Sequence, residues 1–305
     1  MNPLYWTPYI QKCHDDLLTN PETDNDIYLA HLSALQRISE NIKHSGIQSL
    51  PQETPTWNGA VAVHFNLLLS ELQRFKASLP ESFLRDGNMK IIFVSATSRY
   101  LNANSCFMLD LLVLNYHTIE MYLFDICFCM PPTIVTHLPT RQRTDVLSMC
   151  LTATQAFLQH YFSLHTKPYI TFSRVVVGQL CFAMMILSKF SLFHTEDWNI
   201  NELEMGMNLS TVVDRLAMIM EGMSVKFDHS VEKKPWLQIS QKIRQIQVRF
   251  DRLLASENRT IYSLDPTIQG GGTVSATNVA FSFNQFDLLD DGFWQNLVEN
   301  TYNVQ

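Results

Sequence analysis

Six cysteines, ten histidines and one dense run of aspartates are the residues of this sequence that could bind metal or act as nucleophiles. The cysteines are Cys13, Cys106, Cys127, Cys129, Cys150 and Cys181. A zinc finger or a binuclear zinc cluster needs Cys pairs two residues apart, with further Cys or His at set spacing. These cysteines do not supply that pattern. Cys127-Phe-Cys129 comes nearest, but a single intervening residue sends the two thiols to different sides of a helix. His160 and His165 do not share a helical face, and no His-Glu-x-x-His occurs. We expect these thiols to be reduced core groups of an intracellular protein, with no metal and no cofactor.

Nucleophilic and phosphate chemistry fare no better. There is no Gly-x-Ser-x-Gly elbow, and Gly270–Gly272 lacks the following Lys and flanking strand of a phosphate-binding loop. Asp287, Asp290 and Asp291 have the density of the aspartate-rich motif with which a terpene cyclase holds magnesium and diphosphate. They follow a flexible glycine run, however, and no second metal-binding motif accompanies them. A triad whose members meet only in the fold stays open as an alternative, an all-α enzyme of unrecognised type.

The elements that would position any site are helical throughout. Val61, Phe65, Leu68, Leu72, Phe75 and Leu79 recur in steps of three and four, which gathers them into one stripe of a helix that Pro80 ends. Asp26–His44 carries Ile27, Ala30, Ala34, Ile38 and Ile42, with Asp24 or Asp26 available as a cap. Arg143–Leu164 directs Leu147, Cys150, Leu151, Phe157, Leu158 and Tyr161 inward. Tyr169–Phe193 is apolar nearly all round and should be the most central element. Asn201–Met223 turns Leu209, Val212, Val213, Leu216 and Ile219 to the interior. Trp236, Ile239, Ile243, Ile246, Phe250 and Leu253 form a further stripe, too short for a coiled coil, with Lys242, Arg244, Arg249 and Arg252 off it. The best strand candidate, Ile91–Ser95, reads equally well as a helix start. The fold class is all-α.

Composition agrees. Apolar residues make up 46% and charged residues 17%, a globular balance, and only 10 Gly and 12 Pro interrupt the regular elements. The net charge of −7 repels phosphate, which argues against strong DNA binding by this chain alone. Lys233-Lys234, Arg141 with Arg143, and the basic residues of 242–252 read as solvated helix faces. Cys106–Met130 is very apolar but interrupted by Asp110, His117, Glu120 and Asp125. Val175–Ser188 is too short to span a bilayer, so both are expected inside protein, and no membrane partner is expected. Met184, Met185, Met218 and Met220 are expected to be core, with an effector pocket between helices as the other possibility.

Taken in order, several blocks resemble the carboxy-terminal half of the regulatory domain found in fungal zinc-cluster (Zn₂Cys₆) transcription factors. They are Phe65-Asn-Leu-Leu-Leu-Ser-Glu-Leu-Gln-Arg-Phe-Lys-Ala-Ser-Leu-Pro80, Leu112-Val-Leu-Asn-Tyr-His-Thr-Ile-Glu-Met-Tyr-Leu-Phe124, Cys150-Leu-Thr-Ala-Thr-Gln-Ala-Phe-Leu158, Gln179–Leu187, and Trp198 with Val212-Val-Asp-Arg-Leu216. Asp291-Gly-Phe-Trp-Gln resembles the acidic Phe-Trp ending of regulators of secondary-metabolite gene clusters. The zinc cluster itself has no counterpart in this sequence, so no zinc-binding or DNA-contacting residue is carried over.

The resemblance implies a nuclear transcription regulator that reaches DNA only indirectly. It would act through other transcription factors or coactivators, with a dimer possible, and would be no enzyme. The implied organisation is an incomplete start of the regulatory domain over 1–60 and the helical domain over 61–257. A flexible linker over 258–284 and an acidic-aromatic tail over 285–305 follow. In the tail, acids interleaved with Phe286, Leu289, Phe293 and Trp294 suit either a last docked helix or a segment that folds into a coactivator groove. Those four residues are the candidate partner contacts. The alternative is a truncated fragment that is inactive or titrates its full-length relatives.

Overall fold

The computed structural model describes residues 6–45, 59–79, 103–129, 143–164, 174–192, 208–226 and several residues between 237 and 252. All regular structure among them is helical, in agreement with the all-α expectation. The helices are α1 (Pro8–Thr19), α2 (Asp24–His44), α3 (Gly59–Ser78), α4 (Ala103–Phe124), α5 (Arg143–Ser163), α6 (Arg174–Leu192) and α7 (Leu209–Lys226). A short 3-10 turn, Asp125–Cys129, continues α4. The strand candidate Ile91–Ser95, the linker 258–284 and the tail 285–305 lie outside the described residues.

Local sequence sets the helix starts. Thr7 caps α1, its hydroxyl accepting the Ile10 N–H at 3.3 Å, and Pro8 fills the first helical position, where a missing N–H costs nothing. The start of α2 differs from the one expected. Thr23 is its N-cap, and Asp26 acts from inside the first turn. The Asp26 carboxylate reaches back to accept the N–H of Thr23 at 2.8 Å and that of Glu22 at 2.9 Å. This reciprocal arrangement satisfies donors that a cap at Asp24 or Asp26 would leave open.

The described helices fall into two compact units, α1 to α6 as far as Lys189, and α7 with the helical residues of 237–252. In the first unit, side-chain contacts fix each helix direction. Arg37 bonds Gln11 at 3.2 Å, so α1 and α2 run antiparallel. His31 meets Phe75 and Asn41 meets Glu71, so α2 and α3 do too. Phe65 against Phe124 and Phe75 against Tyr116 make α3 and α4 antiparallel. Asp110 faces His160, while Arg143 reaches Cys127, which turns α5 back along α4. Gln179 bonds Asn115 and Lys189 pairs with Asp125, which sets α6 parallel to α4.

The hub of this unit is α4, which packs against α2, α3 and α5. Leu112, Val113, Leu114 and Met121 are completely buried there. The apolar helix α6, expected to be the most central element, is not walled in on every side, since Val175 is 63% exposed. The periodic stripes fared better. Phe65, Leu68, Leu72, Phe75 and Leu79 are buried, as are all six residues expected to face inward from α5. No described helix is long and apolar enough to cross a membrane.

The second unit contains an antiparallel helix pair. Ser210 accepts from Gln247, Asp214 faces Arg244 at 3.6 Å, and Glu221 accepts from both Ser240 and Arg244. Leu209, Val212, Val213 and Leu216 of α7 are buried, and so is Ile243 opposite. The other members of the Ile243 stripe lie outside the described residues. Met218 is 66% exposed, so it is a surface residue rather than the core or pocket group expected.

Candidate functional site: the polar groups along α4

The charged and polar residues that interrupt the apolar run of α4 are what the fold offers to chemistry. Asp110 is buried, and its carboxylate lies 3.5 Å from the Nε2 of His160 on α5. One turn and more along, Asn115 accepts from the Gln179 amide at 2.8 Å, and its own amide donates to the Leu111 carbonyl. His117 and Glu120 meet at 2.8 Å within α4. Burial first, helped by the Glu120 carboxylate, pushes the Tyr116 phenol well above its ordinary range. At the C-terminal end Asp125 pairs with Lys189, whose ammonium also lies over the Phe128 ring at 5.4 Å.

Each of these pairs lies within α4 or joins it to one neighbour. They are spread along the helix instead of converging on one point, which is the geometry of helix positioning rather than of acid–base catalysis. His160, weighed in the sequence with His165, meets an aspartate from another helix, a partner fifty positions away that no local spacing could show. His165 lies outside the described residues. Among the described residues, no three His, Cys, Asp or Glu side chains gather as a metal site.

The thiols follow the core expectation in part. Cys127 and Cys150 are fully buried, and Cys13 and Cys181 are half-buried. Burial pushes the Cys181 thiol up to about 12. Burial first, and the influence of Cys150 on α5 second, push the Cys127 thiol well up. The basic cluster of Arg141 with Arg143 also needs correction. Arg143 is 8% exposed, and its Nε donates to the Cys127 carbonyl at 3.3 Å. As the first residue of α5 it clamps the 3-10 turn instead of lying on a solvated face.

His31 on α2, which no sequence pattern singled out, gives the first unit a pH response. Its ring is buried edge-on against Phe75. Burial first, and the nearby His14 second, hold it below the ordinary histidine range. As pH falls, the unfolded chain therefore takes up this proton before the folded protein does. The stabilisation is complete above the unfolded value of about 6.5 and is lost as pH drops below it. Asp15 and Glu221, both held below the ordinary carboxylate range by hydrogen-bonding neighbours, add losses in a separate, more acidic window. Urea midpoints taken at about pH 7.5 and pH 5.5 should fall toward acid in the parent and fall less in His31→Gln. Equal falls in both proteins would remove His31 as the cause.

The four tail residues that sequence chemistry favoured as partner contacts, Phe286, Leu289, Phe293 and Trp294, lie outside the described residues. So do the aspartates Asp287, Asp290 and Asp291.

No family model matches this sequence, and no solved structure matches it. The chain is similar to transcription factor himD of Aspergillus japonicus, with 23% identity over 283 residues. That alignment takes in 88% of this chain and 42% of the other, so the chain spans less than half the length of the curated relative it matches.

Proposed function

We propose that this protein is a fungal transcription regulator, nuclear, without catalytic activity, that acts on a secondary-metabolite gene cluster. The observation that carries the reading is the similarity to a protein named as a transcription factor across 88% of the chain. An all-α architecture in which polar pairs such as Asp110–His160 and Asp125–Lys189 join helical elements, with no convergent reacting groups among the described residues, is consistent with it. The net charge of −7 favours contact with DNA through partner proteins over direct contact by this chain. Partners are other transcription factors or coactivators, and the helical units present surfaces to them.

In this reading the tail recruits coactivator. Asp287, Asp290 and Asp291 keep Phe286, Leu289, Phe293 and Trp294 in water until an apolar groove takes them. Two experiments test the two levels of the reading. Deleting the gene and comparing transcripts of its genomic neighbours tests regulation itself, and unchanged transcripts would refute it. Fusing 285–305 to a heterologous DNA-binding domain tests recruitment. Reporter expression should rise with the native tail and return to background with Phe293→Ala and Trp294→Ala together. A silent native fusion removes the recruiting role while leaving regulation by the helical units untouched.

A further inference from the structure

The second unit turns a partly apolar, partly basic seam outward. Asp214 and Glu221 of α7 meet Arg244 and Ser240 across the helix pair. Met218 lies four residues after Asp214 and three before Glu221, so it shares their row on α7. Leu237 lies three before Ser240 and Val248 four after Arg244, which puts both in the matching row opposite. Met218, Leu237 and Val248 are nevertheless 66%, 44% and 49% exposed, while Leu209, Val212, Leu216 and Ile243 are buried. The polar contacts that join the two helices are therefore bordered by apolar side chains open to water. Arg215 and Arg252 are exposed as well.

We propose that the chain's own tail, 285–305, docks along this seam. Charge selects the occupant. In a chain of net charge −7, residues 208–254 hold eight Lys and Arg against five Asp and Glu, whereas 285–305 holds four acids and no Lys or Arg. The apolar pattern matches too. At helical spacing Phe286, Leu289, Phe293 and Leu297 fall in one row, with Asp287, Asp290 and Asp291 to one side of it. Leu237 to Val248 is eleven positions, about 16 Å of helix, and Phe286 to Leu297 is eleven positions as well.

Covalent linkage favours this tail over that of a second copy. Thirty-three residues separate Arg252 from Phe286, and a chain of that length spans roughly 30 Å. Such a tether holds the tail near the seam at an effective concentration on the order of a millimolar. Docking covers Phe293, so a partner that takes the same residue must first displace the tail, and the two states exclude one another. The inference goes beyond the recruiting reading and does not depend on it. A tail that docks here but leaves the reporter silent upholds docking alone.

The test uses the full chain with a photoreactive benzoylphenylalanine in place of Phe293, mixed with an isotope-labelled copy, irradiated, and mapped by mass spectrometry. The expected result is a cross-link to peptides from 208–226 or 237–252, formed within one copy, with a yield that falls several-fold at high salt. Arg215→Glu with Arg252→Glu should lower the yield about tenfold, and adding Asp290→Arg with Asp291→Arg should restore it. Cross-links that join labelled to unlabelled copies overturn the proposal and assign the seam to a second copy. It is equally overturned if the cross-links fall on α1 to α6, if none forms, or if charge reversal leaves the yield unchanged. The map is read on a chain whose helix pair is unsubstituted, so it holds even if an arginine variant folds poorly.

Discussion

Tyr116→Ala lowers the stability of the first unit by about 3–5 kcal/mol, the range for removing a large buried ring from a packed core. Tyr116 is 2% exposed at the middle of α4. Its ring stacks on Phe75 of α3 at 6.2 Å, meets His117 edge-on at 5.4 Å, and lies under the Lys76 ammonium at 5.9 Å. Truncation removes the dispersion of every one of these contacts, and a helix pinned by α2, α3 and α5 cannot shift to fill the gap. Tyr116→Phe separates the ring from its hydroxyl. It keeps the packing and loses only the hydroxyl and its interaction with Glu120, for about 1 kcal/mol. Urea unfolding of both variants, followed by far-ultraviolet circular dichroism, checks the ordering. Equal losses would show that the ring's packing is not what stabilises this junction.

Such a junction was only half legible in the sequence. The stripe Phe65, Leu68, Leu72 and Phe75 could be read because a helix repeats every 3.6 residues, and the same rule placed Leu147, Cys150, Phe157 and Tyr161 inward on α5. Periodicity carries less information when a helix is apolar on all sides. Both α4 and α6 are of that kind, and composition alone ranked the wrong one as central. What distinguishes them is which neighbours pack around each helix, and the pattern within one helix does not record that. Arg143 was misread for a related reason. A basic residue at a helix start belongs on the surface by default, yet here the carbonyl of Cys127 from another element gives its guanidinium a buried acceptor.

The candidate site divides along the same line. The polar residues of α4 were visible as interruptions of an apolar run, but their partners His160, Gln179 and Lys189 come from positions 50 to 64 residues away. Short motifs can be recognised by spacing, whereas a pair built across a helix interface can be seen only after folding. The functional expectation for the tail rests on composition alone, acids among aromatics, and it gains nothing from the helices described.

Removing one partner of the Asp110–His160 pair is the other change expected to act strongly. Asp110→Ala should cost about 3–5 kcal/mol, because it takes away a charged partner in a place where both side chains are almost fully enclosed. The attraction between the two groups is not the main reason. Each gave up water to enter the interface of α4 with α5, and that loss persists when only one partner is deleted. It follows that replacing both should hurt less than replacing one. The double variant Asp110→Leu with His160→Leu should recover most of what Asp110→Ala loses, since leucines fill the volume and need no partner. A double-mutant cycle with His160→Leu alone completes the comparison, and a coupling of about 1–3 kcal/mol is expected. If the double variant is instead less stable than either single one, the pair contributes net stability of its own, and the polar groups of α4 do more than set helix position.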